Sequence, residues 1–218
     1  MKQIRHSRQF GGFTFMELLC TLAILSILAI VLILPRMSRP RARFPRIQCS
    51  NNLKQVGLAF HQWALDHDDK FPMQASVTNR GTMELAGYGF AWPHLQVLSN
   101  ELNTPEILVC PADAGRQNAS TFTSNFNNSA ISYFVGLDAD DAMPQMFLAG
   151  DRNITNRLGL RSGMVAWTTN ELVGWTHQLH DRQGNVALAD GSVQGFSSAK
   201  LRKTLRNTGV ATNRLAMP

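Results

Sequence analysis

From Phe13 to Leu34 the chain runs for 22 residues with a single charged side chain, Glu17. As a helix rising about 1.5 Å per residue, that run is about 33 Å long, enough to cross a hydrocarbon core of about 30 Å. Its other polar groups, Thr14, Thr21 and Ser26, carry hydroxyls that can bond back to helix carbonyls. The run therefore predicts a membrane span. It divides the 218 residues into a basic leader over 1–12, the span over 13–34, an arginine-rich linker and amphipathic helix over 35–68, and a soluble head over 69–218. A secretory signal peptide fits poorly. Its apolar core is about 7–15 residues long and is followed by small residues, whereas Gly11 and Gly12 come before this run.

The one charge in the run needs a reason, because a carboxylate near the centre of a span costs about 2.5–3.5 kcal/mol and less towards an edge. Glu17 lies one helical turn after Phe13. A cut between Gly12 and Phe13 would create a cationic amine at the head of the same helix, and Glu17 would neutralise it or that of a neighbouring copy. The other reading is an edge glutamate reaching back to the headgroups. The stretch Gly12-Phe13-Thr14-Phe15-Met16-Glu17, preceded by Lys2, Arg5 and Arg8, resembles the prepilin recognition sequence of type IV pilins and type II secretion pseudopilins. The resemblance implies cleavage after Gly12 by a prepilin peptidase, methylation of the Phe13 amine, and Glu17 as the carboxylate that guides subunits into a filament.

The same resemblance implies an α+β, pilin-like fold: an N-terminal transmembrane and amphipathic helix packed on a small antiparallel sheet. The function it implies is structural, a pseudopilin or minor pilin of a secretion or pilus-like filament, with no catalytic residues and no required cofactor. Its expected partners are the prepilin peptidase and methyltransferase, other pilin-like subunits met through the N-terminal helix, an inner-membrane assembly platform, and the lipid bilayer. Its expected place is the inner membrane, single-pass, with the amino terminus cytoplasmic and the head periplasmic or on a filament surface. The alternative is a membrane-tethered extracytoplasmic module, binding DNA or polysaccharide, that uses the leader only for delivery.

Charge bears on both readings. The net charge is +6, and Arg36, Arg39, Arg41, Arg43 and Arg46 crowd the C-terminal flank of the run against three basic residues in the leader. Counting flanking cations alone would leave the head in the cytoplasm. The prepilin-like leader, which defines its own entry route, outweighs that count. Nucleic acid is not the expected partner: the arginine cluster abuts the membrane, and the other cluster, Lys200, Arg202, Lys203 and Arg206, is small.

Cys20 lies in the apolar run and reads as a small packing residue. Cys49 and Cys110 fall in the part that the anchor would place in an oxidising compartment. A bridge between them would close a loop of about 60 residues, worth up to about 4 kcal/mol on the chain-entropy model. The other reading is two buried free thiols. Neither cysteine has a second ligand at zinc-like spacing, so no metal centre is expected from spacing.

Along the head, Pro35 is expected to end or kink the first helix, and Pro40 and Pro45 to keep the next stretch irregular. From Ile47 to His67, Leu53, Val56, Phe60, Trp63 and Ala64 recur at helical spacing and predict an apolar stripe laid on a sheet. Trp92–Leu98 reads as a short helix, Ile107–Cys110 as a strand, and Ala114–Ser129 as an exposed loop. Ile131–Val135, Met146–Ala149 and Met164–Thr168 read as strands. Val186–Ala189 and Val193–Phe196 read as a hairpin on Asp190-Gly191, a dipeptide that tolerates positive φ at both central positions. Ala199–Arg206 reads as a helix, and the last dozen residues as frayed.

His180, nine intervening residues, then Asp190-Gly191 resembles the C-terminal His-x9-Asp-Gly signature of a subgroup of prepilin-type proteins. Cys49-Ser-Asn-Asn-Leu-Lys-Gln-Val-Gly and Cys110-Pro-Ala-Asp resemble landmarks of the same subgroup. His177, His180, Asp181 and Asp190 hold the residue types of a metal or acid–base site. A histidine bonded to loop backbone accounts for them without catalysis. Asp138, Asp140 and Asp141 could offer oxygens to calcium, but no ligand glycine or distal glutamate accompanies them, so a solvated acidic turn is the expectation.

Overall fold

A computed structural model of the chain describes residues 12, 14–37, 43–156, 158–159 and 161–218, with side-chain surroundings on the first helix given as far as Val31. Of the leader expected over 1–12 only Gly12 is described, Phe13 lies outside the described residues, and so do the arginine side chains before Phe44. The chain divides into two compact units, 1–43 and 44–218.

In the first unit, helix α1 (Phe15–Met37) opens on a reciprocal cap. The Glu17 carboxylate accepts from the Thr14 backbone N–H at 2.9 Å and from its hydroxyl at 2.8 Å, while Thr14 Oγ1 accepts from the Glu17 N–H at 3.3 Å. This arrangement satisfies amides that have no partner within a helix. Thr21 and Ser26 donate to the carbonyls of Leu18 and Ala23, as their hydroxyls should in an apolar helix. All of the apolar residues from Phe15 to Val31 are exposed. Among the described residues no helix is long and apolar enough to cross a membrane. Of the two outcomes expected at Pro35, an end or a kink, the first does not occur: the helix continues to Met37.

The second unit begins with helix α2 (Arg43–Leu65), which starts before the expected Ile47 because Pro45 falls in its first turn, where a missing N–H costs nothing. The short helices α3 (Trp92–Gln96) and α4 (Ser99–Leu102) follow. Then come strands β1 (Tyr133–Gly136), β2 (Phe147–Asp151), β3 (Ile154–Thr155), β4 (Gly163–Thr168), β5 (Gly174–Trp175), β6 (Gln183–Leu188) and β7 (Val193–Ser197). Helix α5 (Ser198–Arg206) and strand β8 (Thr212–Met217) complete the chain. Six strands form one antiparallel sheet in the order β4-β8-β1-β2-β6-β7, and β3 pairs with β5 apart from it. The unit is α+β with an antiparallel sheet, as expected.

Successive strand residues point to opposite faces, and both faces are covered. Cys49, Leu53, Val56, Phe60, Trp63 and Ala64 of α2 pack with Tyr133, Val135, Leu148 and Ala187 on one face. Phe134, Phe147, Val186, Leu188, Phe196 and Leu215 pack with Leu201 and Leu205 of α5 on the other. Gly184 in β6 is required by this second face. A Cβ there would lie 2.5 Å from two ring atoms of buried Trp175. Gly184→Ala is therefore expected to cost about 1–3 kcal/mol by overpacking, read as a lower unfolding temperature. An unchanged midpoint would mean the indole has room to shift.

Three expectations are corrected. Residues 107–110 are not a strand: Pro105–Leu108 forms a 3-10 turn, capped by the Thr104 hydroxyl and started by Pro105. The 114–129 loop is not wholly exposed, because Ala119, Phe122 and Phe126 are buried in the α2-side core. The final residues are not frayed: β8 lies between β4 and β1, with Leu215, Ala216 and Met217 buried. The hairpin stands as expected, although its turn has positive φ at Gly191 (78°) and not at Asp190. Asp190 instead accepts from the Ser192 N–H at 2.9 Å.

Candidate functional site

Four buried side chains from four separate parts of the second unit converge: Cys49, Cys110, Asp151 and His180, with ligand atoms all within 4.8 Å of one another. Cys49 stands on the buried stripe of α2. Its thiol donates to Asp151 Oδ1 at 2.9 Å and lies 3.4 Å from the Tyr133 hydroxyl. Cys110 Sγ is 3.4 Å from His180 Nε2, which is itself 3.4 Å from Asp151 Oδ2.

Each member is held by its own support. Asp151 closes β2, and its Oδ2 accepts from the backbone and side-chain N–H groups of Asn185 at 2.6 and 3.1 Å. Cys110 opens a turn completed by the bond from the Asp113 N–H to its carbonyl. Asp113 is buried and bound by the fork of Arg152, at 2.7 and 2.8 Å, and by the Ser132 hydroxyl at 2.9 Å. Because Arg152 follows Asp151 directly, that fork locks the Cys110 turn beside the end of β2. His180 sits on a loop closed at its neck. Asn153 Nδ2 donates to the carbonyls of Thr176 and Gln183, and the Arg182 N–H donates to Thr176. Asp181 and Arg182 both adopt positive φ, 49° and 60°. Such strain costs about 1–3 kcal/mol per residue and persists where the surroundings fix it.

The electrostatics follow from crowding acids in a dry place. Burial pushes the Asp151 carboxyl up to about 6, against the opposing pull of His180. Burial likewise pushes the Cys49 thiol and the Tyr133 hydroxyl well up. The neighbouring Cys49 thiol, helped by His180, pulls Cys110 down to about 5 against the effect of burial. Burial lowers His180, but its bond to Cys110 and the Asp151 charge outweigh that and raise it. For Asp113, burial raises the carboxyl and the Arg152 and Ser132 bonds prevail, leaving it lowered.

The expected site residues fare differently. Cys49 and Cys110 are brought together, as free thiols. His180 contacts the side chains of Cys110 and Asp151 rather than loop backbone, and Asp190 is exposed at the far end of β6. His177 pairs with Asp181 at 2.9 Å on the surface. The three aspartates weighed for calcium are occupied apart from one another. Asp138 binds Arg214, Asp140 accepts from the Ala142 N–H, and Asp141 lies 3.5 Å from His61. Among the described residues they form no ligand group. Lys200 of α5 is committed to Gln194 and to the face of Phe196, and Arg202 to the Val173 carbonyl. Asp151, Asn185 and Tyr133 were not foreseen as site residues. The available signal was a carboxylate closing an otherwise apolar strand.

Comparison with known proteins speaks to the class. Residues 7–33 match the prokaryotic N-terminal methylation motif, and residues 37–100 match a family described as a protein of unknown function (DUF1559). No curated protein and no solved structure matches the chain. The chain is a prepilin-like protein. Its motif implies processing by a prepilin peptidase, assembly with pilin subunits, and a membrane-anchored or surface-exposed location.

Proposed function

We propose that the chain is a non-enzymatic structural subunit, a pseudopilin or minor pilin, cut after Gly12 and methylated at Phe13. The observation that carries this reading is the match of residues 7–33 to the N-terminal methylation motif. Helix α1 supports it, being 23 residues long with apolar side chains exposed throughout its described length. In this reading the apolar run over 13–34, part of which lies outside the described residues, crosses the inner membrane with the head outside, then packs against other copies in a filament. Glu17 caps its own helix in the uncut chain. Cleavage places a cationic amine one residue from Thr14, and the carboxylate then turns to that amine or to a neighbour's.

Intact mass and terminal sequencing of the protein extracted from native membranes are expected to show a chain starting at methylated Phe13. An uncut Met1 would remove the reading. Glu17→Ala is expected to remain cleaved and to be lost from filaments, scored by crosslinking between subunits. Wild-type assembly by that variant would favour a tethered binding module over a filament subunit.

A further inference from the structure

We infer that Cys49, Cys110, Asp151 and His180 form a buried tetrahedral site for a soft divalent cation, zinc foremost. The donor set is two sulfurs, one imidazole nitrogen and one carboxylate oxygen, the ligand types zinc takes in four-coordinate sites. With zinc–ligand bonds of about 2.0–2.3 Å, the edges of such a tetrahedron are about 3.3–3.8 Å. Cys110 and His180 stand 3.4 Å apart, a length within that range, and the four ligand atoms all lie within 4.8 Å of one another. Cys49 is 2.9 Å from Asp151 Oδ1 and His180 3.4 Å from Oδ2, so either oxygen is in reach of the centre. All four residues are buried, so the site is closed, as structural zinc sites are and catalytic ones are not.

Charge compensation argues the same way. Asp151 is completely buried, and two thiols and a phenol share its enclosure. A buried carboxylate needs a cation or a full set of donors. A disulfide between Cys49 and Cys110 would use only two of the four groups and would remove the S–H that now serves Asp151 Oδ1, leaving that oxygen stranded. Metal binding uses all four. The cation enters, the two thiol protons leave to solvent, and no group changes oxidation state. Asn185 supplies the outer support by orienting the carboxylate. A surface cleft lined by Asn52, Cys110, Asp113 and Arg116 gives an entry path. The ion would fasten α2 to the end of β2 and to both loops, independently of processing at Gly12.

The test uses the full chain, purified in detergent without chelators. About one zinc per chain is expected by elemental analysis. Replacing zinc with cobalt should give visible thiolate-to-cobalt charge-transfer bands, and Cys49 and Cys110 should resist alkylation until a chelator is added. His180→Ala is expected to weaken cobalt binding by more than the about 10–100-fold typical of outer-support residues. Should that variant fail to fold, the wild-type cobalt titration decides alone. A Cys49–Cys110 disulfide in protein from the native host, or thiols that bind neither metal at stoichiometric levels, would overturn the assignment.

Discussion

Asp151→Ala is expected to lower the stability of the head by about 3–5 kcal/mol, the range seen when one partner of a buried charged network is removed. The carboxylate accepts from the backbone N–H of Asn185, from its side chain and from Cys49, and it faces His180. Alanine leaves those groups without an acceptor in a place water does not reach, and each orphaned donor costs about 1–3 kcal/mol. For a chain of this size that corresponds to a fall in unfolding temperature of about 6–20 °C, measured by circular dichroism. Asp151→Asn keeps the shape and one carbonyl acceptor and should recover part of the loss. If alanine instead leaves the midpoint within about 2 °C of wild type, Asn185 and Cys49 must find other partners, and Asp151 does not organise this end of the sheet.

The location of the cluster follows from the two-faced sheet. Tyr133 and Leu148 turn to the α2 side while Phe134 and Phe147 turn away, and the first buried turn of α2 therefore lies over the end of β2. Polar groups placed there are desolvated by the same packing that holds the helix. They must satisfy one another. The Asp113–Arg152 fork and the Asn153 neck are the means by which two irregular segments are held accurately enough to take part.

The parts of this molecule legible in its sequence are those with a period or a local rule. The α2 stripe at Leu53, Val56, Phe60 and Trp63 repeats at helical spacing, and the hairpin around Asp190-Gly191 carries its own turn chemistry. Residues 107–110 misled because Ile-Leu-Val looks like a strand, whereas the proline and threonine before them dictate a 3-10 turn. β8 was missed because Thr-Asn-Arg-Leu-Ala-Met has weak strand preference, and its place between β4 and β1 comes from tertiary pairing. The site was half legible. Cys49, Cys110 and His180 each stood out alone, but they lie dozens of residues apart, and no spacing rule brings them to one point or adds Asp151.

A pH titration should expose a second buried group, His94. It lies fully buried on α3, with Nδ1 2.7 Å from the Thr82 hydroxyl and Nε2 without a partner among the described residues. Burial lowers its pKa from 6.5 to about 4, because the charged imidazolium would lose its hydration without gaining a counter-ion. Between those values the unfolded chain binds a proton that the folded chain refuses, so stability falls as pH falls. This contribution is complete above pH 6.5, is lost progressively towards pH 4, and amounts to about 3 kcal/mol. His94→Gln keeps a hydrogen-bonding group towards Thr82 and cannot titrate. Wild type and variant should therefore differ little in slope above pH 6.5, and the wild type should lose about 6–12 °C more in unfolding temperature by pH 4. Parallel curves across that window would show that another group carries the acid limb and that the His94 pocket admits water or a counter-charge.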